Sequence, residues 1–94
     1  MLENFNVLCH PGLRWWKFDR SFYILFIPEK HEMLKISRLT LELIFLCDGV
    51  RNVRQIVEIM QSIKPPSGLA ENEIKTFVYK KIESFLNDGI AQII

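Results

Sequence analysis

Charge of one sign is scarce in this chain. Twelve lysines and arginines stand against 11 aspartates and glutamates, a formal net charge of +1, and the two signs are mixed along the whole length. Without a basic or acidic block no electrostatic field recruits nucleic acid or a membrane surface, so neither is an expected partner. Long hydrophobic runs are lacking too. The longest, Phe22 to Ile27, falls far short of the roughly 20 residues a membrane helix needs. The stretch from Met1 to Leu8 includes Glu3 and Asn4 and no basic segment leading into an apolar run, which argues against a secretory signal. Cysteine is limited to Cys9 and Cys47, far apart in sequence and outside any CxxC or metal-ligand spacing. A reduced, cytoplasmic chain is the expectation. Internal repeats and low-complexity stretches are absent.

What remains is an ordinary globular composition: 49% apolar and 24% charged residues over 94 positions. A chain of this length holds one core, so a single domain over residues 1–94 is expected, with residues 1–10 as an N-terminal extension.

Aromatic and β-branched residues from Leu13 to Ile36, broken at Asp19-Arg20-Ser21 and Pro28-Glu29-Lys30, predict three strands near 13–18, 22–27 and 32–36. Connections of about three residues allow hairpins but no parallel crossover, which makes the order a β-meander. Ser37 then serves as N-cap of a largely apolar helix that stops at Asp48-Gly49. Asn52 with Gln55 reads as a capping box, and Val53, Ile56, Val57, Met60 and Ile63 form the stripe of a second helix. Lys64-Pro65-Pro66-Ser67-Gly68 ends it and is expected to be the most mobile connection. A third helix runs from about Glu71 to Asp88, stopped by Gly89, and Ile90 to Ile94 adds a short strand. The fold class is therefore α+β: a three-stranded antiparallel meander followed by three helices, in the manner of a winged helix.

Two features exceed what such a fold needs. Phe22 to Ile27 is apolar at both alternating sets of positions, as in a strand covered on both faces, yet three helices easily cover only one. Leu2 to Leu8 folding across the second face, a second copy forming a homodimer through the sheet, or another partner would cover it. On the third helix, Ile74, Phe77, Val78, Ile82, Phe85 and Leu86 form the core stripe, and Tyr79 widens it to about 200°, more than a surface helix requires. The strand Glu32-Met33-Leu34-Lys35-Ile36 comes last in the meander and so falls at a sheet edge. A free edge beside a wide apolar stripe forms a groove that an extended peptide can enter as an added strand. The plainer reading is that Glu32 and Lys35 are charges protecting that edge.

Several segments together resemble the PqqD-like family, the recognition elements of ribosomally made, modified peptides. They are Trp16, Ile24-Leu25-Phe26-Ile27-Pro28-Glu29, Leu34-Lys35-Ile36-Ser37, Ile44-Phe45-Leu46-Cys47-Asp48-Gly49, the stripe Val53, Ile56 and Val57, and the closing Phe85 to Ile90. The resemblance runs from about Pro11 to Ile94. It implies three antiparallel strands and three helices, no catalysis, and a precursor's leader peptide held beside the third strand and against the third helix. Edge, stripe and resemblance together assign to binding Glu32, Met33, Leu34, Lys35, Ile36, Lys75, Val78, Tyr79 and Ile82. The peptide would be presented to a modifying enzyme, often a radical S-adenosylmethionine protein, in PQQ-like or related biosynthesis. Ser37 stands where the family commonly has Asn, which keeps the cap, Thr40 replaces a usual Ala, and Phe77 replaces a frequent acid, which implies a more apolar peptide.

A winged-helix DNA-binding protein is the alternative, since Lys75, Lys80 and Lys81 could contact phosphates. The balanced net charge counts against it. Cys9, His10, His31 and Cys47 supply no base positioned by a third group and no open metal site, so no enzyme activity, metal or cofactor is expected.

Overall fold

The structure, a computed structural model, describes residues 2–63 and 69–94. The expected mobile connection at Lys64 to Gly68 lies outside these residues. In chain order the elements are a 3-10 turn at Leu2–Asn4, strands β1 (Asn6–Cys9), β2 (Arg14–Lys17) and β3 (Phe22–Ile27), a second 3-10 turn at Pro28–Lys30, strand β4 (Glu32–Ser37), helix α1 (Arg38–Leu46), strand β5 (Asp48–Asn52), helices α2 (Val53–Ser62) and α3 (Glu71–Asn87), and strand β6 (Ala91–Ile93). The fold is α+β. Its three helices accompany two antiparallel three-stranded sheets, ordered β2-β3-β4 and β5-β1-β6. The single sheet expected from the sequence is thus only half of the strand content.

The first sheet is built from local hairpins. Asp19 Oδ1 accepts the N–H groups of Ser21 and Phe22 at 2.8 and 2.9 Å, turning β2 into β3, and the Pro28–Lys30 turn, closed by His31 at φ 52°, leads into β4. The register aligns Trp15, Leu25 and Leu34 in one cross-strand row and Trp16, Ile24 and Lys35 in the next. Directly opposed residues share a face, so these rows define the two sides of the sheet. The first side looks to the core: Leu25, Ile27 and Ile36 are buried, and Trp15 packs edge-on against Tyr23 and against Phe45 of α1, with ring centroids 5.9 and 5.6 Å apart.

The second sheet is non-local. β1 is its central strand and pairs Leu8 with Asp48 of β5 and Cys9 with Ala91 of β6. The N-terminal residues are therefore neither an appendage nor a cover for the first sheet: Val7 is fully buried between β5 and β6. The Asn6 side-chain amide donates to the Gly49 carbonyl at 3.1 Å, fixing the far end of the pairing.

The helices begin where their caps place them. Ser37 Oγ accepts the Thr40 N–H at 3.2 Å, and Asn52 and Gln55 bond each other's backbone N–H groups at 2.9 Å in a reciprocal box. Glu73 accepts the Ala70 N–H at the start of α3. Gly89 N–H donates to the Leu86 carbonyl and Ile90 N–H to that of Phe85, the paired bonds of a Schellman stop. The stripes Val53, Ile56, Val57, Met60 and Ile74, Val78, Ile82, Phe85 meet in one core with Leu25, Leu43 and Val7. Ile63, expected on the α2 stripe, lies past the helix end and is 42% exposed. Among the described residues no helix is long and apolar enough to cross a membrane.

Candidate functional site

β4 is an edge strand: β3 is its one partner, and its other edge carries no strand among the described residues. An unpaired edge presents a row of backbone N–H and C=O groups to whatever approaches. Of the five residues expected at the site on this strand, Ile36 is buried, while Glu32, Met33, Leu34 and Lys35 are exposed, Met33 by 65% and Leu34 by 38%. The alternation sends Leu34 and Ile36 to the core side and Met33 and Lys35 to the outer side. Lys35 is not a free edge charge, because its Nζ lies 4.4 Å from the Phe22 ring centroid and 5.1 Å from that of Phe18.

The four residues expected on α3 all lie on that helix and differ in exposure. Val78 and Ile82 are completely buried in the core, so they offer no surface to a partner. Tyr79 is half-buried and its hydroxyl donates to Glu3 Oε2 at 2.9 Å, tying the N-terminal turn to α3. Burial, and then this carboxylate, hold the phenol above its ordinary pKa, so it remains a donor through the neutral range. Lys75 places its ammonium 5.9 Å from the Tyr79 ring centre. Lys75 and Tyr79 line an open cavity of about 270 Å³ with Glu3, Arg54 and Val57, between the N-terminal turn, α2 and α3. That cavity is not bordered by β4. Glu3 and α2 border the Tyr79 side of the α3 stripe.

Two positions along a helix are about 200° apart, so Phe77 lies on the opposite flank of the buried stripe from Tyr79. Phe77 is half-buried, packs on the core, and has Lys81 Nζ 5.9 Å from its ring centre. Sequence reasoning singled out Phe77 only as a departure from relatives. Its flank could have been found by asking which side of the wide stripe α2 must occupy.

His10 and Asp48 make local bonds. His10 Nδ1 accepts the Gly12 N–H at 3.0 Å, and its Nε2 lies 2.6 Å from Glu29 Oε1. Among the described residues no group of three or more His, Cys, Asp and Glu side chains could hold a metal ion. Asp48 pairs with Arg51 and accepts the N–H groups of Val50 and Arg51. Desolvation opposes ionisation there, but these bonds and the guanidinium outweigh it and hold the carboxyl below its usual range. No family model, curated protein or solved structure matches this chain at a significant level.

Proposed function

We propose that this chain is a non-catalytic, PqqD-like peptide-binding domain that takes the leader of a ribosomally made precursor as an added strand on β4 and presents it to a modifying enzyme. The observation that carries the reading is the edge of β4, unpaired among the described residues, with Leu34 half-exposed toward the core side. Main-chain bonds to such an edge supply affinity, and pockets for alternate side chains supply specificity. Of the two flanks of α3, the one bearing Phe77 and Lys81 is proposed to meet the peptide, since the Tyr79 flank is bordered by Glu3 and α2. An aromatic ring there suits an apolar side chain of the peptide.

The lysines support this over DNA binding. Lys75, Lys80 and Lys81 point to three different sides of α3 at 100° per residue, and two of them rest on aromatic rings of their own helix. A phosphate-binding stripe needs them on one side.

The test is an NMR titration of the labelled chain with extended peptides selected from a random displayed library, beside a titration with duplex DNA. Shifts on Glu32 to Ile36 and Phe77, with affinity nearly independent of salt, are expected. A response to DNA alone, steep in salt and centred on Lys80 and Lys81, overturns the proposal.

A further inference from the structure

Cys9 and Cys47, far apart in sequence, meet in the fold. The Cys9 N–H donates to the Cys47 carbonyl at 2.9 Å, and the pairing of Leu8 with Asp48 sets the two cysteines directly opposite one another. Both are free thiols inside the core, Cys9 8% and Cys47 2% exposed. The Cys47 N–H donates into α1, to the Leu43 and Ile44 carbonyls, so the two cysteines share this one bond. Residues that face each other across neighbouring antiparallel strands lie about 4.5 to 5.5 Å apart at Cα, and a disulfide spans roughly 4.4 to 6.8 Å.

We propose that Cys9 and Cys47 form a dithiol site that closes to an intramolecular disulfide in the folded protein. It fastens the central strand of the second sheet to the end of α1. The chain between them holds β2, β3, β4 and α1, so the bond would tie the whole first sheet and its following helix to the second sheet.

The reaction needs a disulfide oxidant such as oxidised glutathione. One cysteine thiolate attacks it, giving a mixed disulfide and releasing one glutathione thiol. The second cysteine, once deprotonated, attacks the mixed disulfide at the protein sulfur and releases the second. Two protein thiols lose two electrons and two protons overall, and the oxidant leaves as two thiols. In the closed fold this is slow. The neighbouring Cys9 and burial hold the Cys47 thiol well above its ordinary pKa, and the thiolate is the nucleophile. β1, held on both edges by β5 and β6, further limits access of the oxidant to Cys9.

The full chain is incubated with oxidised glutathione, followed by intact mass, peptide mapping and thermal melting. Expected are a monomer that has lost two hydrogens, a Cys9–Cys47 cross-linked peptide, a retained native NMR spectrum, and a melting temperature raised by at least about 5 °C. In folded protein both thiols should disappear together, far more slowly than in denaturant. Cys9→Ala, which leaves Cys47 without its partner, should yield no intramolecular bond. Should that variant fail to fold, Cys47→Ala serves the same purpose, and the wild-type mass and melt remain decisive. Recovery of stable mixed disulfides on one cysteine, of intermolecular dimers, or of a cross-link accompanied by a lower melting temperature would overturn the proposal.

Discussion

At Gly49 the backbone takes φ +82°, and a Cβ built there would lie 2.7 Å from Ile94 Cδ1 and 3.5 Å from Leu8 Cδ1. At Gly89 φ is +75° and a Cβ would meet nothing within 4 Å. The two glycines separate conformational strain from crowding. Gly89→Ala should cost about 1 kcal/mol, the left-handed penalty alone. Gly49→Ala should cost more, and Gly49→Val more again, since Ile94 must also move. Urea unfolding of the three variants checks that order. Equal costs at the two sites would show that the Ile94 side chain yields freely. Peptide affinity of Gly49→Val should be normal wherever the variant is folded, because Gly49 lies in the second sheet. Asp48 adds a pH signature. A carboxyl whose folded pKa is depressed contributes stability that is present above its unfolded pKa and is lost as pH falls through the folded value. Asp48→Asn should therefore flatten part of the acid limb of the stability profile. Tyr79→Phe removes the bond to Glu3 and should cost about 0.5 to 1.5 kcal/mol, with peptide affinity unchanged. A selective loss of peptide binding would instead put the Tyr79 flank in the groove.

At the scale of elements, the sequence was most legible where the signal is local. The Ser37 cap, the Asn52 and Gln55 box and the hairpins about Asp19 and Pro28 depend on residues within a few positions of each other, and each forms as expected. β1 and β5 were illegible for the opposite reason. Asp48-Gly49-Val50-Arg51-Asn52 contains Asp, Gly and Asn, which disfavour strands, and it pairs with Asn6 and Leu8 far away in sequence. Only tertiary packing makes it a strand. The same holds at the candidate site: the edge position of β4 follows from its place in the meander, whereas the width of the α3 stripe cannot say whether Glu3, α2 or a partner fills it. Trimming the N-terminus is consequently a test of folding. Deleting residues 1–9 removes the strand that joins β5 to β6, and the chain should lose its cooperative thermal transition by circular dichroism. A truncated chain that still melts cooperatively near the wild-type temperature would show that the second sheet is dispensable.

For the whole molecule, one surface stands out. The outer side of the first sheet gathers Trp16, Phe18, Phe22, Ile24, Phe26 and Met33, of which Trp16 is 46%, Phe18 58% and Met33 65% exposed, and its charges on β2 and β4 are Arg14 and Lys35. The two-sided apolarity of β3 was read correctly from the sequence, but the N-terminus does not cover it. An exposed apolar patch lowers solubility, so Met33→Lys should raise the ammonium sulfate concentration needed for precipitation while leaving the melting temperature within about 2 °C. An unchanged precipitation point would mean that this side is already covered in solution.

The central claim is that a peptide adds to the free edge of β4, and amide hydrogen exchange tests it most directly. Outward-facing N–H groups on an edge strand exchange through solvent, and an added strand bonds every second one. With a bound extended peptide, alternate amides between Glu32 and Ser37 should slow by at least about tenfold, while those on the α2-facing side of α3, around Lys75 and Tyr79, stay as they were. Protection centred on Lys75 and Tyr79 with β4 unaltered would contradict the account.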